Sequence, residues 1–219
     1  MLSFRFKLFV MSQAVDPNRD RISRRRVDKF AQRRAQLAES ALLTLSELGY
    51  ARTSLREIAQ NSEFSHGVLH YYFRDKVDLI TYCVRLYKAA CVTRYDQIVA
   101  TAPDGPELRA GFAEAMSRTL REDATMHRLW YDLRNQSQFE DSFRADVREI
   151  DESLERMITR IVTRYAELTG STLALPARLT YAMFDGVFQH ALLGHLAGDQ
   201  DAAGELGDNL GYVLDKVVA

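Results

Sequence analysis

Thr53–Lys76 reads TSLREIAQNSEFSHGVLHYYFRDK. It parses as two short helices around a tight turn. Thr53 or Ser54 caps the first, and Glu57, three residues beyond Ser54, completes a capping box that satisfies two orphan backbone N–H groups. Leu55, Ile58 and Ala59 form its buried face. Asn61-Ser62-Glu63 makes the turn, Phe64 plugs the core, and Ser65 caps the second helix. Val68, Leu69 and Phe73 then point inward and leave His66, Gly67, His70 and Tyr71 outward. A hydroxyl, two imidazoles and two phenols (Ser65, His66, His70, Tyr71, Tyr72) crowded onto so short a helix make a poor core segment. They make a good surface for hydrogen bonding to phosphates and base edges.

The flanks agree. Val27 to Leu48 is amphipathic, with Phe30, Leu37, Ala41, Leu42, Leu45 and Leu48 at three- and four-residue spacing. Gly49 follows, where a left-handed residue ends a helix. Asp75 caps a further long helix expected to run to about Ala100. Three helices, the third short and polar on one face, make a helix-turn-helix unit whose recognition helix offers its N-terminal residues to the major groove.

At these residues the chain resembles a known family. Leu45, Gly49, Tyr50, Thr53, Ser54, Leu55, Ile58 and Ala59, followed by Phe64, Ser65, Gly67, Leu69, Tyr72, Phe73, Lys76 and Leu79, are similar in register to the DNA-binding domain of the tetracycline-repressor (TetR) family. The resemblance covers about residues 27–80. It implies a homodimeric transcriptional regulator, a repressor released from a palindromic operator by a small molecule. By the motif, Thr53, Tyr72 and Lys76 take phosphates while Ser65, His66 and Gly67 face the groove. Ser54, Arg56, His70 and Tyr71 complete the candidate DNA-binding set. Two positions depart from the pattern: Glu63 stands where the family has glycine, and His70 where it has tyrosine. A left-handed backbone at Glu63 costs about 1 kcal/mol, and His70 brings an imidazole that titrates near neutrality.

Composition bounds the rest. The 219 residues are 47% hydrophobic with 4 prolines and 11 glycines, enough for a sizeable core in long periodic segments, and strand-like alternation is scarce. The fold class expected is all-α: an N-terminal helix-turn-helix domain over 26–75, after a basic arm over 1–25, and a larger helical ligand-binding and dimerisation domain over 76–219. Net charge is −1, but residues 1–75 carry 13 Lys+Arg against 8 Asp+Glu, and residues 76–219 carry 16 against 22. A basic N-terminal third on an acidic body fits a DNA-contacting module with a second task attached. Arg24-Arg25-Arg26 is either a solvated run or a grip on phosphates or the minor groove. Met1–Met11 is apolar but broken by Arg5 and Lys7, too short to span a membrane and without a signal-peptide pattern, and Met11 is an alternative start. Cys83 and Cys91 lie roughly 12 Å apart on one helix, too far to bridge, so reduced thiols and a cytoplasmic location are expected.

The body reads as helices over 108–121, 125–137, 139–168, 176–197 and 204–218. Its candidate pocket residues are Tyr87, Cys91, Tyr95, Phe112, Met116, Trp130, Tyr131, Phe184 and Phe188, aromatic and sulfur side chains that equally describe a core. His127, Arg128 and Arg134 are the candidates to meet an acid. Small residues on the helix after Pro176 suggest a close helix–helix contact. Leu179, Met183, Gly186, Val187, His190, Gly194, Leu210, Val213 and Leu214 are the candidate dimer interface. No nucleophile elbow, phosphate loop or HExxH occurs, so no enzyme is expected. No cofactor or metal is expected either: His66 and His70 have a ligand's spacing, with Glu63 near, but groove contacts account for both. The expected partners are double-stranded DNA, a second copy and a small-molecule effector, with no membrane. A body that binds a protein, or nothing, is the alternative.

Overall fold

The computed structural model describes residues 17–50 and 52–219, and for residues 17–27, 43 and 46 the backbone alone. The expected N-terminal arm up to residue 16, both candidate start sites and the Arg24–Arg26 side chains therefore lie outside the described residues.

The elements are α1 (Pro17–Leu48), α2 (Leu55–Gln60), α3 (His66–Tyr72), α4 (Lys76–Cys91), α5 (Asp96–Thr101), α6 (Gly105–Gln136), α7 (Asp141–Thr169), α8 (Ala177–Leu196) and α9 (Ala202–Lys216). The class is all-α. One antiparallel bridge, Leu173 to Val218, is the only pairing of extended backbone among the described residues; it ties the α7–α8 loop to the C-terminus.

Local chemistry fixes the first three helices. Gly49 ends α1 at φ 74°, with its N–H on the Leu45 carbonyl at 2.8 Å. Ser54 and Glu57 form the full capping box of α2, Ser65 caps α3 by accepting from Val68 N–H, and Asp75 caps α4 by accepting from Asp78 N–H. Leu55, Ile58, Phe64, Leu69 and Phe73 are all buried, each worth about 1.5–3 kcal/mol of transfer free energy. Arg34 locks α1 to α4: its guanidinium meets Asp78 at 2.6 Å and lies over the rings of Phe73 and Tyr82.

Four boundaries differ from expectation. Helix α1 starts at Pro17, so residues 17–25 continue the helix rather than forming an arm. Helix α4 stops at Cys91, not near Ala100. There Arg160 donates to the Val92 carbonyl and to Asp96, holding a turn before the short α5. The segments 108–121 and 125–137 are one helix, α6, bent at Asp123, which leaves helical geometry and meets Arg94 at 2.6 Å. Phe139 precedes α7 and is 83% exposed. Glu63 raises no strain, because no non-glycine residue among those described has positive φ.

The body packs α9 against α6 and α8, with α7 across α6 and α8. Its core runs from Leu108, Phe112 and Leu120 through Ile150, Ile158 and Ile161 to Leu206, Leu210 and Leu214. Cys83 and Cys91 are free and buried.

Candidate DNA interface and effector cavity

Helix α3 presents its polar face to solvent. Ser65, His66, Gly67, His70 and Tyr71 are exposed, as are Ser54 and Arg56 on α2. His66 and His70 meet edge-on, Nε2 to Nε2 at 3.1 Å. No cluster of three His, Cys, Asp or Glu side chains is set to hold a metal among the described residues. A Cβ built on Gly67 meets nothing within 4 Å, so that part of the face is open. Tyr71 is 73% exposed, whereas Tyr72 is half-buried with its ring 4.7 Å from that of Phe30 on α1.

Two expected phosphate ligands sit differently. Thr53 is buried, and its hydroxyl donates to the Gly49 carbonyl at 2.6 Å. Spent on the α1–α2 turn, that hydroxyl does not face outward. Lys76 is half-buried; its ammonium donates to the Tyr50 carbonyl at 2.9 Å and lies 3.9 Å from the centre of the Tyr50 ring. Its other two N–H groups stay available.

Inside the body, α4, α6, α7 and α8 enclose a cavity. Its lining includes Cys91, Tyr95, Met116, Trp130, Tyr131, Phe184 and Phe188, all expected from sequence. Tyr87 and Phe112 do not line it: Tyr87 packs edge-on against His127, and Phe112 fills core between Tyr95 and Phe184. The cavity is a narrow slot of about 50 Å³.

Sequence reasoning missed the slot's polar centre. Lys88 is 2% exposed and its Nζ lies 3.2 Å from His127 Nδ1, with the rings of Trp130 and Tyr87 at 5.3 and 5.5 Å. Burial pushes the Lys88 pKa down to about 8. Burial, then the nearby Lys88 charge, holds His127 well below the usual imidazole range. Asp185 is a second missed group. It accepts from Tyr131 Oη at 2.9 Å and from Arg134 at 2.5 Å. Arg134 also reaches Asp151, which accepts from Tyr181 Oη at 2.7 Å. Arg134 is thus spent on carboxylates, and Arg128 turns away to donate to the Glu47 carbonyl. Of the three candidates for an acid, only His127 lines the slot. The missed signal was periodicity: Val84, Lys88 and Cys91 share one buried stripe of α4.

Known proteins agree with this geometry. Residues 37–83 match the family model described as bacterial regulatory proteins, tetR family. The HTH-type transcriptional regulator BetI of Paraburkholderia phymatum is 29% identical over 170 residues, 76% of this chain and 83% of that protein. The N-terminal helix-turn-helix is thus a DNA-binding domain of the tetR type. The chain is therefore a DNA-binding transcriptional regulator, not an enzyme. Two solved structures share the fold. The regulator FadR from Bacillus subtilis, in complex with stearoyl-CoA, has a TM-score of 0.65 at 20% identity, covering 84% of this chain and 97% of its own. A transcriptional regulator from Saccharomonospora viridis, in complex with choline, has a TM-score of 0.66 at 17% identity, covering 86% and 98%.

In this regulator the α8–α9 face divides in two. Leu179, Gly186 and His190 are exposed on α8, with Met183, Val187 and Gly194 half-buried. Leu210, Val213 and Leu214 on α9 are instead buried within their own chain, at 0%, 6% and 0% exposure, because α9 spends that face on α6 and α8. The outward apolar groups that sequence reasoning passed over are Leu193 and Tyr212, 63% and 62% exposed.

Proposed function

We propose that this regulator acts in the cytoplasm as a homodimeric repressor, released from a palindromic operator when a small molecule enters the slot beside Lys88. The observation that carries this reading is the slot itself. A packed structural core has no use for an unfilled space centred on a buried ammonium. The complexes of fold neighbours with stearoyl-CoA and choline support an effector site in the body. No helix among the described residues is long and apolar enough to cross a membrane.

The DNA-contacting face in this proposal runs from Ser54 and Arg56 through Ser65, His66, Gly67, His70 and Tyr71. Tyr72 and Lys76 flank it and meet phosphates with the Tyr72 hydroxyl and the remaining N–H groups of Lys76. Gly67 supports close approach: an exposed helical glycine costs about 1 kcal/mol against alanine, and no contact within the chain requires it. Dimerisation uses Leu179, Met183, Gly186, Val187, His190 and Gly194, joined by Leu193 and Tyr212.

Selecting bound duplexes from a random DNA pool tests this directly. A palindrome with half-sites about one helical turn apart is the expected result; a lone half-site contradicts the dimer, and no enrichment contradicts the proposed interface.

A further inference from the structure

We infer that the slot takes a small organic acid, its carboxylate paired with the Lys88 ammonium and its body an aryl or alkyl group among the apolar walls. This deepens the effector reading and rests on it.

Lys88 carries the argument. Burying an ammonium is costly unless a counter-charge and hydrogen bonds replace the lost water. Its hydrogen-bond partner is a neutral imidazole nitrogen, and among the described residues no carboxylate comes within ion-pairing distance. The nearby acids are engaged elsewhere, Asp185 with Arg134 and Tyr131, Asp151 with Arg134 and Tyr181.

Two further donors share the deficit. With Lys88 donating to Nδ1, His127 carries its proton on Nε2, and that atom is buried with no partner. Trp130 Nε1 is likewise buried and unpartnered. Both residues line the slot with Lys88. A cation and two N–H donors without an acceptor call for an anion rather than a donor or a second positive charge. Around them Met116, Leu154, Met157 and Phe184 offer hydrocarbon and sulfur, which suits an apolar body.

The chain's one tryptophan is Trp130, so its emission reports on the slot without interference. Full-length protein is titrated with octanoate and 3-phenylpropionate, with their amides, and with choline. The expected result is saturable change in Trp130 emission by at least one acid, at least tenfold weaker binding of its amide, and none by choline. Lys88→Met, which replaces the ammonium with an apolar chain of similar length, is expected to fold and to bind acid and amide equally. An amide or choline binding as tightly as the acids in the wild type overturns the acid assignment and leaves an effector site standing. Undiminished acid binding by a folded Lys88→Met does the same. Silence toward every probe overturns both readings.

Discussion

The backbone N–H of Tyr50 donates to Asp132 Oδ2 at 2.9 Å, joining the turn before α2 to the helix that carries the slot. Tyr50 is held on every side: its hydroxyl donates to the Glu140 carboxylate at 3.1 Å and its carbonyl accepts from Lys76. Burial, then the hydrogen bond to Glu140, pushes the phenol up to about 12, so it stays a donor at neutral pH. Asp132 directly follows Tyr131, which lines the slot and donates its hydroxyl to Asp185. In the proposed mechanism a shift of α6 on ligand binding reaches the helix-turn-helix unit through Asp132, beside the Arg128 contact to the Glu47 carbonyl.

Asp132→Ala removes that link. The expected outcome is DNA affinity within a few-fold of wild type in the absence of ligand, with ligand no longer changing it. Coupling is the ratio of the two affinities, so anisotropy of labelled operator with and without 3-phenylpropionate reads it. A variant that still responds fully shows that the signal travels elsewhere.

In the proposed interface the exposed face of α2 and α3 divides into grip and readout. Arg56→Ala is expected to weaken binding to all duplexes alike and to reduce the salt slope by about 1. His66→Ala is expected to change sequence preference at one position of each half-site. Lys76→Ala differs from both: it also breaks the tie to Tyr50, so a lower melting temperature accompanies weaker binding.

Lys88 gives the fold a pH signature. Its folded pKa, about 8, lies below the ordinary 10.5, so between those values the unfolded chain holds more protons and stability rises with pH. Below pH 8 the full penalty is present, about 3 kcal/mol. The groups acting on it, Cys91, Asp185, Arg94, Asp151 and His127, persist in Lys88→Met. That variant is expected to melt above the wild type at pH 7, with the gap closing toward pH 10.5. Buried Cys83 and the tyrosines lower stability at high pH in both proteins alike, so denaturant midpoints of the pair isolate the lysine.

The dimer face is tested at Gly186, where an added Cβ meets nothing within 4 Å of its own chain. Gly186→Glu is expected to fold at least as well as wild type, since glycine is a weak helix former, yet to sediment as a monomer and bind operator far more weakly. Leu210→Ala, in contrast, opens a hole in the protomer core and is expected to cost about 2–5 kcal/mol of stability.

The helix-turn-helix unit was legible because its signals are local: Ser54–Glu57, Ser65, Asp75 and Gly49 each act within a few residues. The slot was half legible. Aromatic and sulfur residues at helical spacing mark a lining, but Phe112 and Phe184 carry the same pattern and only packing separates filler from wall. Lys88 was hidden because a lysine is ordinarily solvated, and only the packing of α6 and α7 onto α4 buries it. The misplacement on α9 has the same origin. Leu210, Val213 and Leu214 form an apolar stripe, and sequence alone does not say whether it faces its own chain or another.

In the proposed mechanism, occupancy of the slot beside Lys88 sets affinity for DNA. Following Trp130 emission and the anisotropy of the selected operator in one titration with 3-phenylpropionate tests it most directly. The duplex is expected to be released over the same ligand range that saturates Trp130, with release lost in Lys88→Met. Full occupancy of the slot with the duplex still bound at unchanged affinity would contradict it.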